Sequence, residues 1–270
     1  MTAVLSSGSH AVSAAARTAP DTALSVTFDG VGRSFGSGAD AHVVLRDINF
    51  EVRPGEVLAI LGSSGCGKST LLRATAGLDA ASTGQVLIDG TAVRGIDDRC
   101  AVAFQEPRLL PWQTLQANVA IGLPKGTSAS EGKAKVSELL KLVELDSFAK
   151  HQPRAVSGGM AQRASLARAL ARKPGVLLLD EPFGALDALT RLKMQDLLLD
   201  VHRAAPATVL LVTHDVDEAL QLADRIIVLG REPGKPGATI TQTITVPGVR
   251  PRDRASAELA RMRGELLASL

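Results

Sequence analysis

Residues 62–69 of the 270-residue chain read Gly-Ser-Ser-Gly-Cys-Gly-Lys-Ser, a complete G-x-x-x-x-G-K-S pattern. Glycines at Gly62, Gly65 and Gly67 let backbone N–H groups converge on phosphate oxygens. A helix opening at Lys68 adds the positive end of its dipole. In that setting Lys68 reaches the β- and γ-phosphates of a nucleotide, and the Ser69 hydroxyl ligates Mg²⁺. Ser63, Ser64, Cys66 and Thr70 complete the cradle. The plain alternative is a Gly-rich turn, which the strand before and the helix after argue against. Cys66 reads as a small filler, although a helix N-terminus can also lower a thiol pKa and make it nucleophilic.

Four further polar groups, Asp180, Glu181, His214 and Gln105, share the logic of delivery to the ends of apolar strands. Val176-Leu177-Leu178-Leu179-Asp180-Glu181 carries two adjacent carboxylates to the edge where open α/β folds bind ligands. Asp180 suits Mg²⁺, directly or through water, and Glu181 suits a general base for an attacking water. Such a pair alone is as often a solvated strand end; downstream of a phosphate loop the functional reading prevails. His214 follows the apolar residues 208–212, where a γ-phosphate contact competes with a structural role. Gln105 follows residues 101–104, and its neutral amide can coordinate Mg²⁺ or orient water. Ser157-Gly158-Gly159 precedes a helix starting near Met160, a second N–H-rich anion site or ordinary helix-entry chemistry. Two half-sites for one phosphate suggest that two copies of the chain meet around the nucleotide.

The elements that must position these groups follow from apolar periodicity. Strands are expected at residues 23–28, 43–52, 56–61, 85–89, 101–104, 176–179, 208–212 and 226–229, with an alternating run at 238–246. Residues 30–40, with four glycines, read as a loop. Helices are expected from Lys68 to a stop at Gly77, at 113–122, 131–145, 157–172 and 187–203. The sum is an alternating β/α pattern interrupted by a helical insertion, hence a parallel sheet with flanking helices. The tail ends in an amphipathic helix whose Leu259, Met262, Leu266, Leu267 and Leu270 are expected on one face. It could pack on its own domain, touch a mate or bind a regulator.

Bulk composition narrows the class. Lys plus Arg is 30 and Asp plus Glu 28, a net charge of +2, which argues against bulk binding to nucleic acid. Two cysteines, Cys66 and Cys100, make no disulfide framework and point to a reducing compartment. No apolar stretch is long enough to span a bilayer. Residues 1–20 lack a basic start and an apolar core, so the expectation is a disordered leader over 1–22. A transit peptide is the weaker alternative, with Arg17 and His10 as its basic groups.

Together, residues 62–69, Gln105, Val156-Ser157-Gly158-Gly159-Met160, residues 176–181, Gly184-Ala185-Leu186-Asp187 and His214 resemble the ATP-binding subunit of an ABC transporter. Their order matches that family's Walker A, Q-loop, signature, Walker B, D-loop and H-loop. The resemblance implies a P-loop α/β ATPase domain over about 23–247. Its expected parts are a RecA-like parallel core, an N-terminal antiparallel β subdomain and a helical subdomain at about 106–173, with a tail at 248–270. Phe104-Gln105-Glu106-Pro107-Arg108-Leu109-Leu110-Pro111-Trp112 and Asp180-Glu181-Pro182-Phe183-Gly184-Ala185-Leu186-Asp187-Ala188-Leu189-Thr190-Arg191 are similar to the nitrate/sulfonate/taurine import branch, closest to the aliphatic sulfonate importers.

The resemblance also implies ATP and Mg²⁺, and a homodimer sandwiching nucleotide between each phosphate loop and the partner's Ser157–Gly159 turn, with Asp187 at the site. It implies separate membrane permease subunits, a solute-binding protein, and a peripheral place on the cytoplasmic face of the inner membrane. Phe35 matches the aromatic that stacks on adenine; the alternative is a packed strand-end ring. Many members carry Tyr there, and Phe keeps the π-face without the hydroxyl. Val156 and Met160 depart from the family's Leu-Ser-Gly-Gly-Gln. Trp112 is either core or an anchor near the groove for the permease's coupling helix.

Three rivals remain at the level of sequence. A non-transport ABC ATPase usually has two cassettes or long coiled coils, and here each motif occurs once with no heptad run. A small-molecule kinase leaves Ser157–Met160 and Gln105 unexplained. An exporter ATPase differs only through its permease.

Overall fold

The computed structural model describes residues 23–36, 38, 41–184 and 186–270; the leader expected at 1–22 lies outside the described residues. Among these described residues ten strands form one mixed sheet: β1 (Val26–Phe35), β2 (His42–Val52), β3 (Val57–Gly62), β4 (Thr83–Ile88), β5 (Thr91–Ala92), β6 (Cys100–Ala103), β7 (Val176–Asp180), β8 (Thr208–Val212), β9 (Arg225–Arg231) and β10 (Ala238–Thr245). Their order is β5-β4-β1-β2-β10-β9-β3-β8-β7-β6. The stretch β9-β3-β8-β7-β6 is parallel throughout. The pairs β1–β2, β1–β4, β4–β5 and β9–β10 are antiparallel. A single residue pair, Ala238 with Leu45, joins the two halves. The expected parallel core is present, and the antiparallel strands continue it as one sheet.

The parallel strands are continuous apolar runs because both of their faces are covered. β3 and β8 are buried over their whole length. Alternation then divides each strand between two cores. Val57, Ala59, Leu61, Leu177, Leu179, Val209 and Leu211 face one, while Leu58, Ile60, Val176, Leu178, Leu210 and Val212 face the other.

Among the described residues seven α-helices surround the sheet: α1 (Lys68–Thr75), α2 (Leu115–Ala120), α3 (Ala129–Leu142), α4 (Gly158–Ala171), α5 (Ala188–Ala204), α6 (Val216–Leu222) and α7 (Ala257–Ser269). α1 packs in the second core through Leu71 and Leu72; α2 to α7 line the first. Thr114, Ser128, Ser157, Asp187, Asp215 and Ser256 each cap the helix that follows, as such side chains do by accepting from the first turn. None of the described helices is long and apolar enough to cross a membrane.

Three expectations change. Residues 30–35 are strand rather than loop: β1 runs to Phe35, absorbing Gly30 and Gly32 through register shifts against both neighbours. Such bulges accommodate glycine, which is why composition suggested a loop. Helix α6 adds to the expected helices, its seven residues being too few to display a period in the sequence. In α7, Leu259, Met262 and Leu266 are buried, but Leu267 and Leu270 are 51% and 47% exposed. Leu267 is rotated about 100° from Leu266, and Leu270 lies beyond the last turn. The helix packs on its own domain, with Arg263 Nε 3.0 Å from Asp217 Oδ2 on α6.

Candidate functional site

The phosphate loop leaves β3 at Gly62 and enters α1 at Lys68. A Cβ at Gly62 would lie 2.5 Å from Leu229 O, and one at Gly67 2.6 Å from Leu45 Cδ2; both backbones have positive φ. Any other residue there would combine backbone strain with a clash. Gly67 caps α1 without a side chain, and the first turn holds no acid. Among the described residues, no acceptor is recorded for the N–H groups of Gly65, Gly67, Lys68, Ser69 or Thr70; Cys66 N–H bonds Ser63 O at 3.3 Å. Free amides at a helix N-terminus are donors for an anion. Lys68 is 6% exposed, its Nζ held by Gly62 O at 2.7 Å and Ser63 O at 3.0 Å. Cys66 is buried in the core beneath Gly62, where filler describes it and a nucleophile would be sealed from substrate.

The second group gathers where β6, β7 and β8 end. Ser69 Oγ donates to Asp180 Oδ1 at 2.8 Å. Burial pushes the Asp180 carboxyl up; the Ser69 bond and Lys68 pull it down, while Glu181 pushes it up. Glu181 has φ 45°, an uncommon conformation for a non-glycine residue that clusters at functional sites. Its N–H bonds Val212 O at 2.9 Å. Its Oε2 accepts from Gln105 Nε2 at 3.4 Å and lies 3.2 Å from His214 Nδ1. Two side chains 109 positions apart in sequence thus converge on one carboxylate oxygen of Glu181. The oxygen set of Ser69, Asp180 and Gln105 fits Mg²⁺, a hard ion usually held by one or two carboxylates plus substrate phosphates. No cluster of three His, Cys, Asp or Glu competes for a metal among the described residues.

The segment after β6 is carried by α4. Gln162 Nε2 donates to Phe104 O at 3.0 Å, and Arg168 donates to Pro107 O and Arg108 O, both at 2.8 Å. The helix that opens with Ser157-Gly158-Gly159 therefore sets the position of Gln105. Ser157 Oγ accepts from Met160 N–H at 3.3 Å. A Cβ on Gly159 would stand 3.1 Å from Thr190 Cγ2 and 3.3 Å from Leu186 Cδ2. No hydrogen bond joins this turn to residues 62–69 among the described residues.

A family model described as ABC transporter matches residues 45–184. The chain belongs to the ABC transporter family. Relatives include the aliphatic sulfonates import ATP-binding protein SsuB 1 of Xanthomonas axonopodis pv. citri, 49% identical over 88% of this chain and 93% of that protein. SsuB 1 of Streptomyces avermitilis is 46% identical over 96% of this chain and 92% of that one. Among solved structures, a dimeric post-hydrolysis state of the ATP-binding cassette MJ0796 with ADP and Pi is 33% identical. It has a TM-score of 0.72 and covers 83% of this chain and all of that one.

Within this ABC ATPase, the D-loop and H-loop are tied together by residues that the motifs alone do not single out. Arg191 donates to Leu186 O at 3.2 Å and to Asp215 Oδ2 at 3.0 Å. Its Nε lies 3.7 Å from Glu218 Oε1, an ion-pair distance too long for a hydrogen bond. Glu218 in turn accepts from Thr213 Oγ1 at 2.6 Å, next to His214. Burial pushes the Glu218 carboxyl up to about 7, against the Thr213 bond that lowers it. Arg191 stands inside the stretch that resembled the import branch, so its position was visible but its contacts were not. Asp187 caps α5 by accepting from Thr190 N–H at 3.0 Å.

The two aromatic candidates are both exposed. Phe35 is 44% exposed at the end of β1. Trp112 is 68% exposed, which removes its core reading. Its loop is nevertheless fixed. Buried Asn118 receives Leu110 N–H at 2.7 Å and donates to Leu110 O, Gln113 O and Thr114 O.

Proposed function

We propose that this chain is the ATP-hydrolysing subunit of an importer for aliphatic sulfonates. The ATPase domain spans about 23–247, with a helical subdomain at about 106–173 and a tail at 248–270. It works as a homodimer on the cytoplasmic face of the inner membrane, bound to separate permease subunits that receive solute from a binding protein. The observation that carries hydrolysis is the convergence of Gln105 and His214 on Glu181 Oε2 beside the phosphate loop. The solute class is supported by the names of the relatives.

The loop amides of residues 62–70 and Lys68 bind the triphosphate, with Lys68 exchanging carbonyl partners for phosphate oxygens. Ser69, Asp180 and Gln105 hold Mg²⁺, which when bound neutralises charge on the phosphate oxygens. Glu181 accepts a proton from the attacking water as the bond to the γ-phosphorus forms and the β–γ bridge breaks, yielding ADP and phosphate. His214 contacts the γ-phosphate and keeps Glu181 aimed. Ser157, Gly158 and Gly159 donate to the γ-phosphate held by the partner's loop, and Asp187 lies at the same junction. Phe35 stacks on adenine.

Trp112 and a groove of about 230 Å³ lined by Leu78, Ile96, Ile121, Gly122 and Arg168 present apolar surface to the permease. Ile96 and Ile121 are 77% and 54% exposed, which suits a partner's helix. A Trp112→Ala chain is expected to hydrolyse ATP normally in isolation but to lose transport in the assembled complex; unimpaired transport would remove Trp112 from that interface. The function itself is tested by ATPase stimulation of the reconstituted complex with binding protein carrying an alkanesulfonate, taurine or nitrate. Stimulation by the alkanesulfonate is expected; stimulation by taurine alone, an aminoalkanesulfonate, narrows the sulfonate assignment, and stimulation by nitrate alone overturns it.

A further inference from the structure

Phe35 is an exposed ring in a chain with six Phe, one Trp and no Tyr, and one of its faces is already occupied. The Arg33 guanidinium carbon sits 4.4 Å from the ring centroid, well inside the range of a cation–π contact. The guanidinium is itself held by Asp79, with Nη2 donating to Oδ1 at 2.6 Å. Both side chains of that pair are about one-fifth exposed. Arg33 Nε is buried without a hydrogen-bond partner, so the ring and Asp79 set the side chain's orientation, not a full set of hydrogen bonds.

Asp79 belongs to the turn that ends the phosphate-loop helix: the N–H groups of Leu78 and Asp79 both bond Arg73 O, at 2.9 and 3.3 Å. Ser34 N–H to Ser82 Oγ and Ser82 N–H to Gly32 O reinforce the link. On the other side, Arg33 pairs with Leu45 across β1–β2, and Leu45 is the residue packed against Gly67. The strand end that carries Phe35 is thus fastened to both ends of the element that carries the phosphate loop.

We propose that Arg33 is a positioning residue for the nucleotide base: pinned by Asp79, it backs the Phe35 ring and leaves only the opposite face for adenine. This rests on the reading of Phe35 as the adenine platform. The cation acts in two ways. It restricts the rotamers of an exposed ring, so less freedom is lost when the base stacks. It also draws π density to its own side, which favours an electron-rich purine on the other. The base and the triphosphate are then held at a separation set by the Arg33–Asp79 link.

The test measures KM for ATP, kcat, and the inhibition constant of inorganic tripolyphosphate in the full-length chain and its variants. Arg33→Met is expected to raise KM for ATP by about two- to five-fold, the worth of an exposed cation–π contact, with kcat within about twofold. Tripolyphosphate, which has no base, should inhibit as it does the parent chain. Phe35→Ala should raise KM more, and the double variant no further than Phe35→Ala alone. Asp79→Asn, which frees the guanidinium without removing it, should raise KM less than Arg33→Met and guards against a folding defect in that variant. Additive effects of Arg33→Met and Phe35→Ala, or weakened tripolyphosphate inhibition, would overturn the proposal by making Arg33 a phosphate-attracting charge. An unchanged KM in Arg33→Met while Phe35→Ala raises it would overturn it and leave the Phe35 platform standing. An unchanged KM in Phe35→Ala removes the platform reading and this inference with it.

Discussion

Helices α1 and α4 both begin at a Gly-rich turn and both lack acids in the first turn, and they differ in their caps. At α1 the cap is Gly67 and none of the first-turn amides has an acceptor among the described residues; at α4, Ser157 takes Met160 N–H and leaves the N–H groups of Gly158 and Gly159 without one. A helix N-terminus carries about half a positive charge. Left uncapped beside a buried lysine, α1 is a phosphate site ready within one chain. Capped and packed against Leu186 and Thr190, α4 has no anion of its own to meet. It gains one only when another surface brings a phosphate to it. The difference between an uncapped terminus beside a buried lysine and one partly capped by its own serine is what separates a primary site from a complementary one.

The largest effect expected is at the open terminus. Lys68→Ala should lower both nucleotide affinity and turnover, the latter by about 10²-fold or more, measured by steady-state phosphate release. Glu181→Gln should lower turnover by a similar factor while ATP binding persists; undiminished hydrolysis by that variant would strip Glu181 of its role. At the capped terminus the prediction separates two losses. Ser157→Ala should cost about 1 kcal/mol in unfolding free energy, the value of an N-cap. It should also reduce hydrolysis without changing ATP affinity of the monomer. A variant that loses stability alone would make Ser157 a cap and nothing more.

A further effect, on stability rather than turnover, concerns the network between the two. Arg191 holds Leu186, which touches Gly159, and meets Glu218, which holds Thr213 beside His214. The folded Glu218 carboxyl, at about 7, lies above its ordinary 4.5, so its contribution to stability is full below about pH 4.5 and is lost as pH climbs through 7. Glu218→Gln cannot ionise. Its stability relative to the parent should therefore improve between pH 5 and 8 by on the order of 2 kcal/mol. Chemical denaturation at several pH values reads this directly, and a pH-independent difference would refute it.

Much of the site's membership was legible because strand ends and Gly-rich turns write themselves into sequence. Gln105, Asp180, Glu181 and His214 each follow an apolar run, and the structure brings them to one edge. What sequence did not reveal is who holds whom. Gln162 and Arg168 look like any polar residues on a helix, yet they carry the Gln105 loop. Arg191, Glu218, Arg33 and Asp79 act through partners 24 to 46 positions or only a helix turn away, a relation periodicity does not encode. The strand through residues 30–35 was hidden because glycines that serve bulges resemble glycines that serve loops. Trp112 reads by residue type as either core or an interface anchor; its exposure and buried Asn118 beneath its loop show that its outward position is built.

The central claim is that the phosphate loop is half of a site completed by the α4 terminus of a second copy. Sedimentation of Glu181→Gln with and without ATP tests it most directly. The account predicts a monomer that becomes a dimer on ATP addition, and that Gly158→Glu, which puts a carboxylate at the α4 terminus, stays monomeric in this background while still binding ATP. A Glu181→Gln chain that binds ATP and remains a monomer would contradict it.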